Sequence, residues 1–348
     1  MARRSPTSFD VARLAGVSRA TVSIVLNNKP GTRVSETTRR RVLEAASELD
    51  YHVNAAARSL RRQRTGTIGL IVRQSYGRLS ADAFLGPVIE GITSITGPAG
   101  SRLLIEPLDP SRPVHYLSLV REGHIDGLIF SGARADDDAL LALHADGVPV
   151  VLWGALPGSN LPFVDVDNRT AARTAVEHLI ALGHRRIACI TNAHPAEAVR
   201  EAAGRSEGYR AALEAHGLPV EDAFIRYGNY DERSGFEAMQ SLLANRIRPT
   251  AAFVASDEVA LGALHAARAA GLRVPDDLSL AGFDDLPISR LVIPALTTVH
   301  VPAREIGVNA ATMLMSFVET GRAPESMLLP TELVIRDSAS PPPRRTAA

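Results

Sequence analysis

Residues 8–27 read SFDVARLAGVSRATVSIVLN, two short helical segments around a glycine. Ala12 is small where two helices would cross closely, Gly16 can take the left-handed turn conformation, and Val17, Val22 and Val25 recur as apolar wedges. Ser18 stands where the second helix wants its N-cap. A pair of this form presents its second helix to the major groove of DNA. An amphipathic hairpin with no DNA role shares the pattern, so the reading depends on what surrounds it.

The 348 residues carry 38 Lys and Arg against 38 Asp and Glu, a net charge of zero. The cancellation is not local. Residues 1–66 hold thirteen basic and five acidic side chains, a surplus of eight, and the rest of the chain carries the opposite excess. A basic head on an acidic body is the charge pattern of a nucleic-acid-binding arm joined to a separate unit. A hydrophobic content of 45% over this length allows two or three domains with substantial cores. Apolar runs fall short of a membrane span and the N-terminal charge is not followed by an apolar signal region, so a cytoplasmic protein without a membrane partner is expected. The single cysteine, Cys189, lies in the apolar run 187–190 and reads as a small buried hydrophobe.

After the hairpin, Val34-Ser35 introduces a third helix in which Val42, Leu43, Ala46 and Leu49 are predicted to close a three-helix core, with Arg39, Arg40 and Arg41 in its first turns. Residues 54–60, NAAARSL, then form a short helical segment capped by Asn54 and followed by Arg61, Arg62 and Arg64. One or two turns barely hold alone in water, so this segment is expected to order on a partner, and DNA suits its charge. From Thr67 onward, the runs TIGLIV, RLLIE, IDGLIF, VPVVLW, RIACI, AAFVAS and LSLAGFD alternate with amphipathic stretches, the pattern of parallel α/β sheet. Several runs end in Gly or polar residues, as at Ser256-Asp257 and residues 282–285, where open α/β sheets place ligands.

Catalytic and metal patterns are missing. There is no His-Glu-x-x-His, no Gly-Lys phosphate loop and no Gly-x-Ser-x-Gly, and the ten histidines do not cluster at ligand spacing. Asp136, Asp137 and Asp138 suit a helix start and His184 a structural position, so neither an enzyme nor a cofactor is expected.

The stretches DVARLAGVSRATVSIVLNN, VSETTRRRVLEAASELDY and NAAARSLRRQRTGTIGLIV resemble the DNA-binding head and hinge of the lactose-repressor (LacI/GalR) family, and the resemblance continues to Arg336. It implies an all-α helix-turn-helix domain (1–52), a hinge helix and linker (53–66), and a periplasmic-binding-protein-like α/β body (67–337). The body has two parallel-sheet subdomains with chain crossings near 167, 298 and 328, and a flexible tail (338–348) follows. On the DNA side the family carries over to Ser18, Arg19, Ala20, Thr21, Ser23, Ile24 and Asn27, with Ser35 and Thr38 beside them. Arg19 can grip guanine with two bonds, whereas Ala20 and Ile24 offer only apolar contact, and Ile24 departs from the arginine often found there. The loop 28–33 also looks about two residues longer than in the lactose repressor. In the hinge the resemblance assigns Asn54, Ala57, Arg58 and Leu60 to the minor groove, with Leu60 as the wedge that opens the central base step.

The same carry-over places Asp82, Phe84, Asp167, Arg205, Tyr230, Ser256 and Asp284 around an effector cleft. Arg205 and Asp284 would bind hydroxyls, Tyr230 would stack on a ring, Ser256 replaces a common asparagine, and Trp153 either faces the cleft or packs. The segment DAFL follows a lengthened 75–81 loop, so the pocket wall departs from the family pattern. The implied partners are a pseudo-palindromic operator, a small-molecule effector, expected to be an inducer sugar, and a second copy of the chain. The tail SASPPPRRTAA has three successive prolines and no leucine heptads, which points to a dimer and not a tetramer. The alternative is a solute-binding or sensing module without a DNA role, in which the basic head would be idle.

Overall fold

A computed structural model describes residues 6–26, 32–51, 64–74, 76–108, 115–134, 136–192 and 200–343. The chain divides into two compact units, residues 1–66 and 67–348.

The first unit contains α1 (Ser8–Ala15), α2 (Arg19–Leu26) and α3 (Glu36–Glu48). Thr7 and Asp10 form a capping box at the start of α1, with the Thr7 N–H donating to the Asp10 carboxylate at 2.9 Å. Gly16 ends that helix at φ 63°, which lets the Val17 N–H reach the Ala12 carbonyl at 3.0 Å. The sharp turn sets the start of α2, where Ser18 Oγ accepts from the Thr21 N–H at 3.1 Å. Ser35 caps α3 in the same way, accepting from Thr38 at 3.3 Å. Val11, Ala12, Ala15, Val22, Val25, Val42, Ala45 and Ala46 form one buried cluster. Leu43, expected in that core, is 49% exposed. The inward row of α3 runs through Val42, Ala45, Ala46 and Leu49, and Leu43 lies about 100° round the helix from Val42.

The second unit opens with β1 (Thr67–Val72), α4 (Tyr76–Leu79), α5 (Leu85–Thr96), β2 (Arg102–Pro107), α6 (Tyr116–Arg121), β3 (Leu128–Ser131), α7 (Asp138–Ala145), β4 (Val150–Trp153) and β5 (Phe163–Val166). It continues with α8 (Asn168–Ala181), β6 (Ile187–Thr191), α9 (Arg200–Ala215), β7 (Ile225–Tyr227), α10 (Glu232–Leu243), β8 (Ala251–Val254), α11 (Asp257–Ala269), β9 (Ser279–Asp284) and β10 (Thr297–His300). Helix α12 (Ala303–Thr320), β11 (Met327–Leu329) and β12 (Glu332–Val334) complete it. Two six-stranded sheets result, ordered β11-β5-β4-β3-β1-β2 and β12-β10-β9-β8-β6-β7. The strands pair in parallel except β12, which runs antiparallel to β10 at the edge of the second sheet. The chain passes from the first sheet to the second between β5 and α8, back after β10, and across again between β11 and β12, so the second and third crossings fall slightly later than 298 and 328.

Helices cover both sheets, and glycines allow close crossings between them. A Cβ on Gly91 of α5 would lie 2.1 Å from the Arg304 carbonyl, and one on Gly307 of α12 would lie 2.1 Å from that of Val88. The two backbones meet there with no room for a side chain. Cys189 is fully buried in β6 and its thiol is pushed up to about 12 by that burial. His184 is also buried, its imidazole disfavoured as a cation by loss of water, and it bonds Thr250 Oγ1 at 2.9 Å and the Ser340 carbonyl at 2.8 Å.

The chain beyond 337 is not a loose tail over its described part. Ser338 is 1% exposed, and its hydroxyl accepts from the Thr297 N–H at 2.8 Å while donating to the Leu280 carbonyl at 2.7 Å. Proline-rich composition suggested flexibility, but these buried backbone groups require a partner and Ser338 supplies it. Ser338→Ala should therefore lower the stability of this unit by about 1–3 kcal/mol. A urea midpoint that stays unchanged would contradict this bracing role.

Candidate functional site

Helix α2 presents two unlike faces. Val22 and Val25 are buried against the rest of the head, while Ser18, Arg19 and Ala20 are exposed and Thr21, Ser23 and Ile24 are half-buried. Arg19, Ala20, Ser23 and Ile24 follow helical spacing, so they share one outward face. The Ser18 and Thr21 hydroxyls bond each other at 3.0 Å, as do those of Ser35 and Thr38 at 2.9 Å, which ties both polar pairs to helix N-termini. Asn27 and the hinge positions Asn54, Ala57, Arg58 and Leu60 lie outside the described residues.

In the second unit, a cavity of about 580 Å³ lies beyond the carboxyl ends of both sheets. In each sheet the strand order reverses about one strand, between β1 and β3 and between β6 and β8, and α/β sheets place ligands at such reversals. Asp82, Phe84, Arg205, Tyr230, Ser256 and Asp284 all line the cavity, as expected from the sequence. Asp167 does not. It is exposed and caps α8, accepting from the Thr170 N–H at 3.0 Å and the Thr170 hydroxyl at 2.7 Å, bonds that hold its carboxyl below the usual range. Asp165, two residues earlier on the inward side of β5, takes the position in the wall.

Arg205 is the centre of the floor. Its guanidinium pairs with Asp284 at 3.0 Å and donates to Asn168 Oδ1 at 3.0 Å and to the Ala255 carbonyl at 2.6 Å. It also lies 3.9 Å from the centre of the Phe283 ring, within cation–π range. Burial pushes the Asp284 carboxyl up to about 7 against the opposing pull of Arg205. Asp284 has φ 108° and Tyr230 φ 56°, conformations that strain non-glycine residues and that concentrate where a side chain must be aimed. Next to them Asp257 is fully buried and accepts from Leu286 N–H, Ser289 Oγ and Thr298 Oγ1 at 2.9, 2.6 and 2.7 Å. It braces the loop that carries Asp284, and burial pushes its own carboxyl up to about 6. Ser256 lines the cavity, but its hydroxyl caps α11 through the Val259 N–H at 3.4 Å.

The opposite wall carries an aromatic step. Phe84 stacks on Trp153 with ring centres 5.7 Å apart and planes inclined by 19°. Asp82 Oδ1 accepts from the Phe84 N–H at 2.9 Å, which orients this step, and its other oxygen accepts from the Gln74 side chain. The segment before Phe84 reaches the other subdomain. Arg78 donates to Asn229 and lies 5.5 Å from the centre of the Tyr230 ring, and the Ala83 N–H donates to Glu258 at 3.0 Å. The cavity is thus clasped from both sides.

Arg73, Gln74, Asn168 and Asn192 were not singled out in the sequence, yet all line the cavity. Arg73, Gln74 and Asn192 follow directly on the runs TIGLIV and RIACI, so extending the strand-end rule by two residues would have found them. Among the described residues no cluster of His, Cys, Asp and Glu could hold a metal ion, and no helix is long and apolar enough to cross a membrane.

Comparison with known proteins follows the same division. Residues 9–54 match the bacterial regulatory proteins of the lacI family, and residues 176–339 match the periplasmic binding protein-like domain. Catabolite control protein A of Priestia megaterium is 36% identical over 336 residues, which cover 95% of this chain and 98% of the relative. Among solved structures, the lac repressor dimer bound to operator and the anti-inducer ONPF is similar with a TM-score of 0.86 at 29% identity, covering 97% of this chain and all of the other. The complex of the transcriptional regulator CelR with cellobiose is similar with a TM-score of 0.73 at 33% identity, covering 96% and 99%.

The buried Asp284 carboxyl has a pH consequence. Its folded-state value lies above that of an unfolded aspartate, so its stabilising contribution is complete below about pH 4 and is lost as pH rises through about 7. Asp257 acts in the same sense at about 6. Thermal unfolding should show stability falling across this range, and Asp284→Asn should flatten the upper part of the fall. An identical pH profile in the variant would count against a buried, proton-retaining Asp284.

Proposed function

Because the chain belongs to the lacI family of bacterial regulatory proteins, we propose that it is a homodimeric repressor released from a pseudo-palindromic operator by a sugar in the cleft. It is a DNA-binding transcriptional regulator under effector control, not an enzyme. The observation that carries the proposal is α2 itself: a capped helix with one face anchored by Val22 and Val25 and the other offering Arg19, Ala20, Ser23 and Ile24. Arg19 reads guanine through its two-pronged guanidinium, and Ala20 and Ile24 meet apolar base edges such as the thymine methyl. Ser18, Thr21, Ser35 and Thr38 fix the register on phosphates. Asn54, Ala57, Arg58 and Leu60 order in the minor groove between two such heads, with Leu60 as the wedge.

In the body, the sugar binds between the two sheets, where Arg205, Asp284, Tyr230, Phe84 and Asp82 face one cavity. A ligand touching both walls changes how the subdomains meet, and the contacts made by Arg78 and Ala83 across the mouth move with them. The subdomain arrangement favoured by the sugar disfavours paired, ordered hinges, and the operator is released. The similar regulator CelR, solved as a complex with cellobiose, supports a sugar as the effector.

The test is a selection of bound DNA from random oligonucleotides, followed by anisotropy titrations on the selected site. Arg19→Ala should cost about 1–3 kcal/mol and relax the preference at one guanine position. Equal affinity and equal base preference in that variant would remove Arg19 from the reading face. Arg205→Ala should keep operator binding but lose release by the sugar. Leu60→Ala should weaken binding and reduce DNA bending, and undiminished bending would exclude Leu60 as the wedge.

A further inference from the structure

Two side-chain oxygens in the cleft are buried with no hydrogen-bond partner among the described residues, Gln74 Oε1 and Asn192 Oδ1. Both line the cavity, and Asn192 is only 2% exposed. Their placement is parallel in the two subdomains. Gln74 lies two residues beyond β1 and Asn192 one residue beyond β6, the strands about which each sheet reverses its order. The orientation of Gln74 is fixed by chemistry: its amide faces the Asp82 carboxylate, an acceptor, so the NH₂ end points there and the carbonyl end is left unmatched. A buried acceptor without a donor is costly, and both costs vanish if a ligand supplies the hydrogens.

The charges in the same cavity narrow the ligand further. Arg205 is engaged by Asp284 at 3.0 Å, and Arg73 is engaged by the Asp137 carboxylate and, at 2.6 Å, by the Gly132 carbonyl. Asp82, Asp165 and Glu258 also face the cavity. An anionic ligand would meet these carboxylates across a short distance in a partly desolvated space, with Arg73 and Arg205 already paired and Arg78 turned to Asn229 and the Tyr230 ring. A neutral ring with hydroxyl donors meets no such penalty, and the Phe84–Trp153 step offers it an apolar face.

Resting on the reading that this cleft is the effector site, we propose that it selects an uncharged, polyhydroxylated ring, a sugar bearing neither phosphate nor carboxylate, which donates hydroxyl hydrogens to Gln74 Oε1 and Asn192 Oδ1. The two oxygens act as one acceptor pair contributed by both subdomains. A sugar that satisfies both therefore spans the cleft.

The experiment is calorimetric titration and thermal unfolding of the full chain with matched probes. The neutral set is glucose, galactose, ribose and cellobiose, and the anionic set is glucose 6-phosphate, ribose 5-phosphate, glucuronate and galacturonate. At least one neutral probe should bind, and its anionic counterpart should bind at least about tenfold more weakly. Gln74→Met and Asn192→Leu should each weaken the neutral probe by roughly three- to tenfold; Asn192→Leu should also leave the melting temperature of the free protein unchanged or higher, because it removes an unmatched buried acceptor, whereas Gln74→Met gives up the bond to Asp82 as well and is read by affinity alone. A purely structural role would instead lower that temperature and spare affinity. Anionic probes binding as tightly as their neutral partners, both variants binding like the parent, or silence across the neutral set would each overturn the proposal. Anionic binding that disappears in Trp153→Ala would overturn the neutral class yet keep the cleft as the effector site. Binding indifferent to Trp153→Ala, Gln74→Met and Asn192→Leu alike would overturn the effector site itself.

Discussion

The Arg205–Asp284 pair governs the architecture of the cleft. Both side chains are about nine-tenths buried, and an ion pair taken from water is tolerated only when further hydrogen bonds complete it. Arg205 obtains those bonds from three separate elements: Asn168 where the chain has just crossed from the first sheet, Ala255 at the end of β8, and Asp284 at the end of β9. The guanidinium therefore sets the relative position of the crossing and two strand ends. Asp257 extends the same constraint, because its three accepted bonds hold the loop after Asp284 and the strand beside it. Loss of one member would leave its buried partner uncompensated, at a cost of about 3–5 kcal/mol.

The head obeys a simpler physics. Its core is eight small or β-branched residues, and its geometry follows from three local devices: the Thr7–Asp10 box, the left-handed Gly16, and the Ser18 and Ser35 caps. Such devices depend on neighbours in sequence, which is why residues 8–27 were legible without a structure. Leu43 shows the limit of that legibility. Helical spacing admits more than one phase, and only packing against α1 and α2 chose the row through Ala45 over the row through Leu43.

In the body, the long apolar runs were readable as strands because both faces of a parallel sheet are buried. The short strands were not. Phe163–Val166 is interrupted by Asp165, and Met327–Leu329 and Glu332–Val334 are three-residue edge strands whose pairing is set by distant neighbours. The site was legible where a family motif fixed the position, as at Arg205 and Asp284, and less so where one turn of chain decides direction. Asp165 and Asp167 carry the same side chain two residues apart; the strand points the first into the cleft, and the helix start claims the second as a cap. Gln74 and Asn192 were missed because an amide beyond a strand is commonplace in sequence, and only the absence of a partner marks it.

A cleft that senses a small molecule and a helix that reads DNA are joined in one chain, so their binding energies must be linked: whatever a ligand does to operator affinity, the operator must do to ligand affinity by the same factor. The most direct measurement is calorimetric titration of an active neutral sugar into the free protein and into the protein saturated with its operator. The account requires weaker sugar binding in the operator complex, by the same ratio with which the sugar weakens operator binding. Equal sugar affinity in the two states would contradict it.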